Sequence, residues 1–410
     1  MVRMLHFADF HLGMENYGRD RAGINSRIYD FCDRLDEMVS FSTREDIDLV
    51  LFAGDAFKNR QPNPTLQREF AARIMDMASR CPVVMLVGNH DMPTHELRAS
   101  SLEIYQTLNV PNVLIGSEYD LYEVPTPKGS VFVGTAPYPM RQNLLKDEEL
   151  HGKSISELDD LLLNALIGEL DRLARRAAAA QPADAPRVLA AHFSVSGAQW
   201  GSERGVTIGR DPVVPLGSLD DSAWDYVALG HIHKHQNLTQ GRKGAPPVVY
   251  SGSMERIDFG EEGDPKGFCV VDLSRHDTQW RFWSLNSRPF MTVRVDVRGD
   301  LDPMDRILST IRGCDLQGAV VRVILQADPE NSPLIKEDAI HKALDEAKVH
   351  TIAAVIKEVN QTSRARLGES PEGLTPLELL ERFFNAKEYA PDRIESLLKY
   401  AEQFLHEDGG

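Results

Sequence analysis

The chain has 410 residues, 42% of them hydrophobic and 26% charged, and no apolar run is long enough to span a membrane. That length exceeds one ordinary core, so two or three domains are expected. The net charge of −17 repels polyanions at long range and excludes a uniformly basic binding surface, so any phosphate-bearing ligand must be met by local cations or by metal ions.

The N-terminal MVRMLHFADFHLG reaches Asp9 and His11 before a signal-peptide core can form. RMLHFADFH (3–11), DLVLFAGD (48–55) and VVMLVGNHD (83–91) are short apolar runs with Val, Leu and Ile on both faces, the pattern of central strands buried on two sides. Between them SRIYDFCDRLDEMVSFSTRE (26–45) and NPTLQREFAARIMDMASR (63–80) carry helical periodicity, and a further helix is expected around 95–108. Leu66, Phe70, Ile74, Leu102, Ile104 and Tyr105 on these helices suit either a two-fold bundle between chains or a core, and periodicity does not separate the two. From Val124 the strands shorten: SVFVGTAPY (130–138), PPVVYSGS (246–253), GFCVVDL (267–273) and TQWRFWSL (278–285). A helix at 154–180 intervenes, and RVLAAHF (187–193) and DYVALGHIH (225–233) repeat the central-strand pattern. Residues 1–285 therefore read as one α/β domain of two packed sheets flanked by helices.

Residues 286–360 alternate as β-α-β-α-β, from MTVRVDV (291–297) to TIAAVIKEV (351–359), a small second domain. Residues 361–410 hold most of the polar connector NQTSRARLGESPEG and two amphipathic helices, LTPLELLERFFNAK and PDRIESLLKYAEQFL. Each helix has a Pro near its start and an apolar stripe for this chain or for a partner. Cys32, Cys81, Cys269 and Cys314 form no CxxC pair and read as reduced thiols of a cytoplasmic protein.

The polar residues coincide with the strand ends. Asp9 and His11, Asp55, Asn89 with His90 and Asp91, His192, and His231 with His233 each stand where an apolar run gives out. In open α/β sheets ligands bind outside the carboxyl ends of strands, so five strands would deliver these groups to one rim. Oxygen and imidazole donors without thiolate suit Mn²⁺, Fe²⁺ or Zn²⁺ better than Ca²⁺. They exceed the needs of one ion and match two ions about 3.5–4 Å apart. His6 reads as a core residue, His235 as a residue turning towards solvent, and His95 as the start of a surface helix.

The motifs DxH (9–11), GD (54–55), GNHD (88–91), His192 and GHIH (230–233) resemble the calcineurin-like metallophosphoesterase superfamily. HFADFHLG (6–13), HFSVSGA (192–198), YSGSMERIDFGE (250–261) and KGF (266–268) are similar to the SbcD-type DNA-repair nucleases within it. The resemblance implies a two-sheet metallophosphoesterase sandwich, a capping domain, and C-terminal helices that grip an SbcC-type, SMC-like ATPase. It implies one ion held by Asp9, His11, Asp55 and His233 and a second by Asp55, Asn89, His192 and His231, with Mn²⁺ the expected metal. It further implies a homodimer, DNA ends or hairpins as substrate, exonuclease and endonuclease chemistry, and a place at the nucleoid. His90 falls where the family keeps a non-ligand histidine that assists phosphodiester cleavage, and Asp91 is expected to orient its ring. Lys58, Arg60 and Lys234, with Arg68, Arg204, Arg210 and Arg256, stand in or near the motif loops and would track the DNA backbone. After GDAF the family usually has Asp or His, and here it has Lys58, which bears on the balance of exonuclease and endonuclease activity.

Two other readings compete. A phosphodiesterase or phosphatase of the same superfamily with a small substrate would need neither capping domain nor terminal helices. A non-catalytic scaffold on this fold predicts eroded ligands, and here every expected position is filled.

Overall fold

The computed structural model describes residues 1–92, 99–146, 152–201, 211–359, 375–386, 389 and 391–407. Arg204, Arg210, His95, the first part of the helix expected at 95–108 and the connector at 360–373 lie outside these residues. Two compact units divide the chain. The first comprises Met1–Thr292, Leu316–Arg322 and Ala347–Ala353; the second comprises Val293–Asp315, Val323–Glu346 and the described residues from Ala354 onward.

In chain order the first unit contains β1 (Val2–Phe7), α1 (Ser26–Arg44), β2 (Leu49–Phe52), α2 (Pro64–Ala78), β3 (Val83–Leu86), α3 (Glu103–Thr107), β4 (Val113–Gly116), β5 (Asp120–Thr126) and β6 (Gly129–Ala136). There follow α4 (Ile155–Ala179), β7 (Arg187–His192), β8 (Tyr226–Gly230), β9 (Gln236–Asn237), β10 (Val248–Tyr250), β11 (Gly267–Leu273) and β12 (Gln279–Ser284). The strands form two six-stranded sheets, ordered β12-β11-β1-β2-β3-β4 and β9-β10-β8-β7-β6-β5. In the first, β1 to β4 run parallel; in the second, β6, β7, β8 and β10 do.

The period-two alternation of a strand explains the layering. Met4, Leu49, Leu51 and Val84 of one sheet meet Val188, Ala190, Tyr226 and Ala228 of the other in a shared middle layer. The intervening residues face outward: Leu5, Phe7, Val50 and Met85 lie in one cluster with Phe31 and Leu35 of α1 and Phe70 of α2. Leu189, Val227 and Leu229 lie in another with Leu166, Leu170 and Leu173 of α4. The fold is a sandwich layered helix–sheet–sheet–helix, the two-sheet arrangement that the resemblance implies. Helix starts follow local chemistry: Asn25 caps α1, Asn63 caps α2 ahead of Pro64, and Ser154 with Glu157 closes a capping box on α4.

One expectation needs correcting, and one open alternative closes. Strand β1 stops at Phe7, short of residue 11, because Asp9 and His11 adopt left-handed backbone angles. Leu66, Phe70, Ile74, Leu102 and Tyr105 are buried in their own chain's core, so they are not a free two-fold surface; of the six, Ile104 alone is exposed. Strand β4, and β5 before Val124, were not legible as strands.

Strands β13 (Phe290–Asp296), β14 (Val320–Ala327) and β15 (Thr351–Val359) form a three-stranded sheet in that order, and the second unit takes them from Val293, Val323 and Ala354 onward. Helices α5 (Pro303–Arg312) and α6 (Glu337–Glu346) pack together and bury Ile307, Ile311, Ile340 and Leu344. Helices α7 (Pro376–Ala386) and α8 (Pro391–Glu407) also pack on each other, leaving Phe383 and Tyr400 exposed. No helix of the described residues is long and apolar enough to cross a membrane.

Candidate metal centre

Parallel pairing puts the carboxyl ends of β1, β2 and β3 side by side in one sheet and those of β7 and β8 side by side in the other. The registers are Phe7↔Phe52, Phe52↔Met85 and Gly230↔His192. At this rim the sheets touch. His192 Nδ1 donates to the Ala53 carbonyl at 2.6 Å, and the His231 backbone N–H donates to both Asp9 carboxylate oxygens at 2.9 and 3.1 Å. The close approach needs glycine. A Cβ on Gly230 would lie 2.2 Å from the Ala53 carbonyl oxygen, and one on Gly88 2.2 Å from Asp55 Oδ1.

Asp9, His11, Asp55 and His231 all have positive φ, at 52°, 47°, 62° and 93°. Such angles cost about 1–3 kcal/mol each in non-glycine residues and concentrate at functional sites. They turn the chain sharply after each strand and aim the side chains inward. Asp9, His11, Asp55, His192, His231 and His233 are all buried.

The donor atoms converge. Those of Asp9, His11 and His233 lie within 4.8 Å of one another, as do those of Asp9, Asp55 and His192 and those of His11, Asp55 and His90. Asp55 Oδ2 is 3.6 Å from His11 Nε2 and 3.3 Å from His192 Nε2, and so faces both halves of the cluster. Asn89 Oδ1 lies 3.0 Å from His192 Nε2 and 3.1 Å from His231 Nδ1.

One contact tests whether cations fit. With Nδ1–H given to Ala53, a neutral His192 would turn the lone pair of Nε2 onto two oxygen acceptors, Asn89 and Asp55. The arrangement requires positive charge at that edge. Without metal it is met by protonation: burial opposes the charged ring, but Asp55 and Asp9 outweigh it and raise His192 to about 9. Burial also pushes Asp55 up, yet His192 and His11 hold it well below the usual carboxylate range. Asp9 is raised, chiefly by burial, and burial lowers His11 well below an ordinary imidazole, keeping it neutral as a ligand must be. Oxygen and imidazole donors, dry and convergent, fit divalent cations.

His90 and Asp91 separate in role. His90 Nδ1 donates to the Lys58 carbonyl at 2.8 Å, so Lys58 backbone, not Asp91, orients the ring. The Asp91 carboxylate instead accepts from the backbone N–H groups of Asp55, Ala56 and Gly88, at 2.9, 3.0 and 3.1 Å. It clamps the loop that carries Asp55; burial, then the neighbouring Asp55 charge, pushes it up to about 7.

Lys58 and Arg60 line a pocket of about 560 Å³ with Asn59, Gln61, Asn89 and His90, open beside the cluster. Lys234 lies apart, in a pocket of about 770 Å³ lined also by His235, Gln236, Arg242 and Trp280. Two expected backbone-tracking cations are committed elsewhere. Arg256 donates to Ser287 and to the carbonyls of Glu261, Asp264 and Arg288, and Arg68 pairs with Glu69 at 2.6 Å. His235 stacks on Phe282 at 4.0 Å and donates to the Tyr250 carbonyl, and His6 is buried against Tyr226 and Leu229; neither joins the cluster.

Two carboxylates beside the cluster escaped sequence reading. Glu261 Oε1 takes the Nδ1 hydrogen of His233 at 2.8 Å, and Asp211 Oδ2 lies 3.0 Å from His231 Nε2 while the same carboxylate also accepts from Tyr138. Burial would raise Glu261, but Lys266 and His233 hold it well below the usual range.

This fold and rim define a phosphoesterase class, and residues 2–235 match the family model described as calcineurin-like phosphoesterase. The chain belongs to the calcineurin-like phosphoesterases. It is similar to the SbcD component of the nuclease SbcCD of Bacillus subtilis, 32% identical over 66% of each protein. It is also similar to the DNA double-strand break repair protein Mre11 of Haloferax volcanii, 27% identical over 80% of this chain and 62% of that one. The matched region thus spans slightly less than two thirds of these relatives' length. Among solved structures, a dimetal phosphatase from Danio rerio aligns with a TM-score of 0.41 at 13% identity, over 69% of this chain and 99% of that one.

Proposed function

We propose that the chain is a two-metal DNA phosphodiesterase that trims or opens DNA ends in double-strand-break repair, acting with an SMC-like ATPase. The observation that carries this reading is the cation-demanding cluster opening directly onto His90, Lys58 and Arg60. The names of the two relatives supply the substrate class.

One ion is assigned to Asp9, His11, Asp55 and His233, the other to Asp55, Asn89, His192 and His231, with Mn²⁺ as the metal. Two bound ions would supply Lewis acidity, acidifying water and drawing charge from the phosphoryl oxygens. The chain's own residues do the rest. Lys58 and Arg60 hold the phosphates flanking the scissile one. His90, fixed through Nδ1 by the Lys58 carbonyl, hands a proton from Nε2 to the leaving sugar oxygen as the P–O bond breaks. Asp91 keeps Asp55 between the two halves of the cluster through the backbone.

Helices α7 and α8, with Phe383 and Tyr400 outward, are proposed to bind the ATPase, and deletion from residue 375 onward should abolish that association. A homodimer would use the outward Met75, Ile104 and Leu108, and light scattering of the purified chain measures it. We place the protein in the cytoplasm, at the nucleoid.

The deciding experiment is digestion of an end-labelled linear duplex in Mn²⁺, with EDTA and His90→Ala arms and bis-p-nitrophenyl phosphate as a small diester. Mn²⁺-dependent DNA cleavage that His90→Ala loses supports the proposal. Hydrolysis of the small diester alone would favour the small-substrate reading, and hydrolysis of neither with metal bound would favour the scaffold.

A further inference from the structure

Lys266 has no place in the chemistry above, yet it is among the most deeply buried charges of the protein, its side chain wholly inaccessible. An ammonium has three hydrogens to give, and here three oxygens receive them. They are Glu261 Oε2 at 2.9 Å, Ser253 Oγ at 2.8 Å and the backbone carbonyl of His233 at 3.3 Å. Glu261, also wholly buried, turns its other oxygen to His233 Nδ1 at 2.8 Å. The contacts close a ring: lysine to carboxylate, carboxylate to imidazole, and the imidazole's own backbone back to lysine.

Burying an ion pair is a poor way to gain stability, since desolvation offsets much of the attraction. A hydrophobic pair of the same volume would serve a merely structural purpose as well. The ring does something an apolar pair does not: it fixes His233 at both ends. The lysine holds the main chain while the carboxylate holds Nδ1–H, so one tautomer and one ring plane are selected. The lone pair on Nε2 is then aimed at the cluster, 3.0 Å from His11 Nε2. The Ile257 backbone N–H, donating to Glu261 Oε2 at 3.0 Å, stops the carboxylate from turning away.

We infer that Lys266 and Glu261 are a positioning pair that selects the metal-binding tautomer of His233, and so sets the affinity of the ion held with Asp9, His11 and Asp55. The inference rests on the two-metal reading. It assigns the pair to one of the two ions, because the rings of the other, His192 and His231, are held by Ala53 and Asp211.

The test is calorimetric titration of the full chain with Mn²⁺, with thermal melting in EDTA as the measure of folding. His233→Ala identifies the binding step that belongs to the first ion, and His192→Ala the second. Lys266→Met removes the ammonium from the buried Glu261 carboxylate and can fail to fold. The decisive variant is therefore Lys266→Met combined with Glu261→Leu, which buries no lone charge and removes the acceptor on His233 Nδ1. Its first-ion affinity is expected to fall about 10–100-fold, as for other partners that orient metal-bound histidines. The second ion's affinity should be unchanged. Wild-type affinity at both sites in the folded double variant would overturn the inference, as would equal loss at both. If the wild-type chain takes up no Mn²⁺, the two-metal reading itself fails, and this inference with it.

Discussion

Asp91 and His90 are neighbours in sequence with separable consequences. Asp91 serves three backbone donors of the loops that carry Asp55 and Gly88. Asp91→Ala would leave those donors buried and unpaired, at about 1–3 kcal/mol for each. The expected result is a clear fall in melting temperature even in EDTA, together with weakened Mn²⁺ binding. His90→Ala removes a ring that touches the Lys58 carbonyl, the His11 ring and the open cleft. It should lower kcat on DNA by about 10²–10⁴-fold while melting and Mn²⁺ uptake stay as in wild type. Steady-state kinetics and melting curves on the two variants check both. The side chains that converge at this rim were legible in sequence because each sits at the end of an apolar run, where a local pattern betrays it. Glu261 and Asp211 were not, because they reach His233 and His231 from 28 and 20 residues away and no spacing rule connects them. The misassigned role of Asp91 has the same root: adjacency to His90 suggested a ring contact, and the strand-end turn aimed the carboxylate back into its own loop.

At the scale of elements, alternation of strands and helices was readable along most of the chain because buried parallel strands are dense in Val, Ile and Leu and the helices between carry a 3.6-residue stripe. What an apolar stripe packs against was not readable. Helix α2 shows the point: Phe70, fully buried, contacts the rings of Phe10, Phe52 and Phe57 of its own chain. Phe70→Ala should therefore cost about 3–5 kcal/mol of stability, as a core truncation does. Denaturant melts of the purified chain measure it, and a loss confined to self-association would contradict the packing. Strand β4 was missed because Val-Leu-Ile-Gly is too short to separate from a loop without its partner, β3.

At the scale of the whole molecule, the proposed function asks an acidic protein to hold a polyanion. Among the described residues few cations flank the cleft, so the proposed DNA binding should show a shallow salt dependence. Three proposed phosphate contacts, from Lys58 and Arg60 at the cleft and Lys234 in its separate pocket, correspond to a slope of log K against log salt near −3, at about −0.9 per neutralised phosphate. Replacing Lys58 and Arg60 by Glu should remove about two thirds of that slope without moving Mn²⁺ affinity, which fluorescence anisotropy across a salt series would show. The metal rim also has an implication in time. Its donors come from both sheets, from Asp9 in the first strand's turn to His233, with Glu261 behind it. A ribosome must therefore have released the chain well past residue 261 before the centre can close. Every shorter nascent fragment lacks a donor or its support, so an interrupted round of translation leaves a product whose centre cannot form.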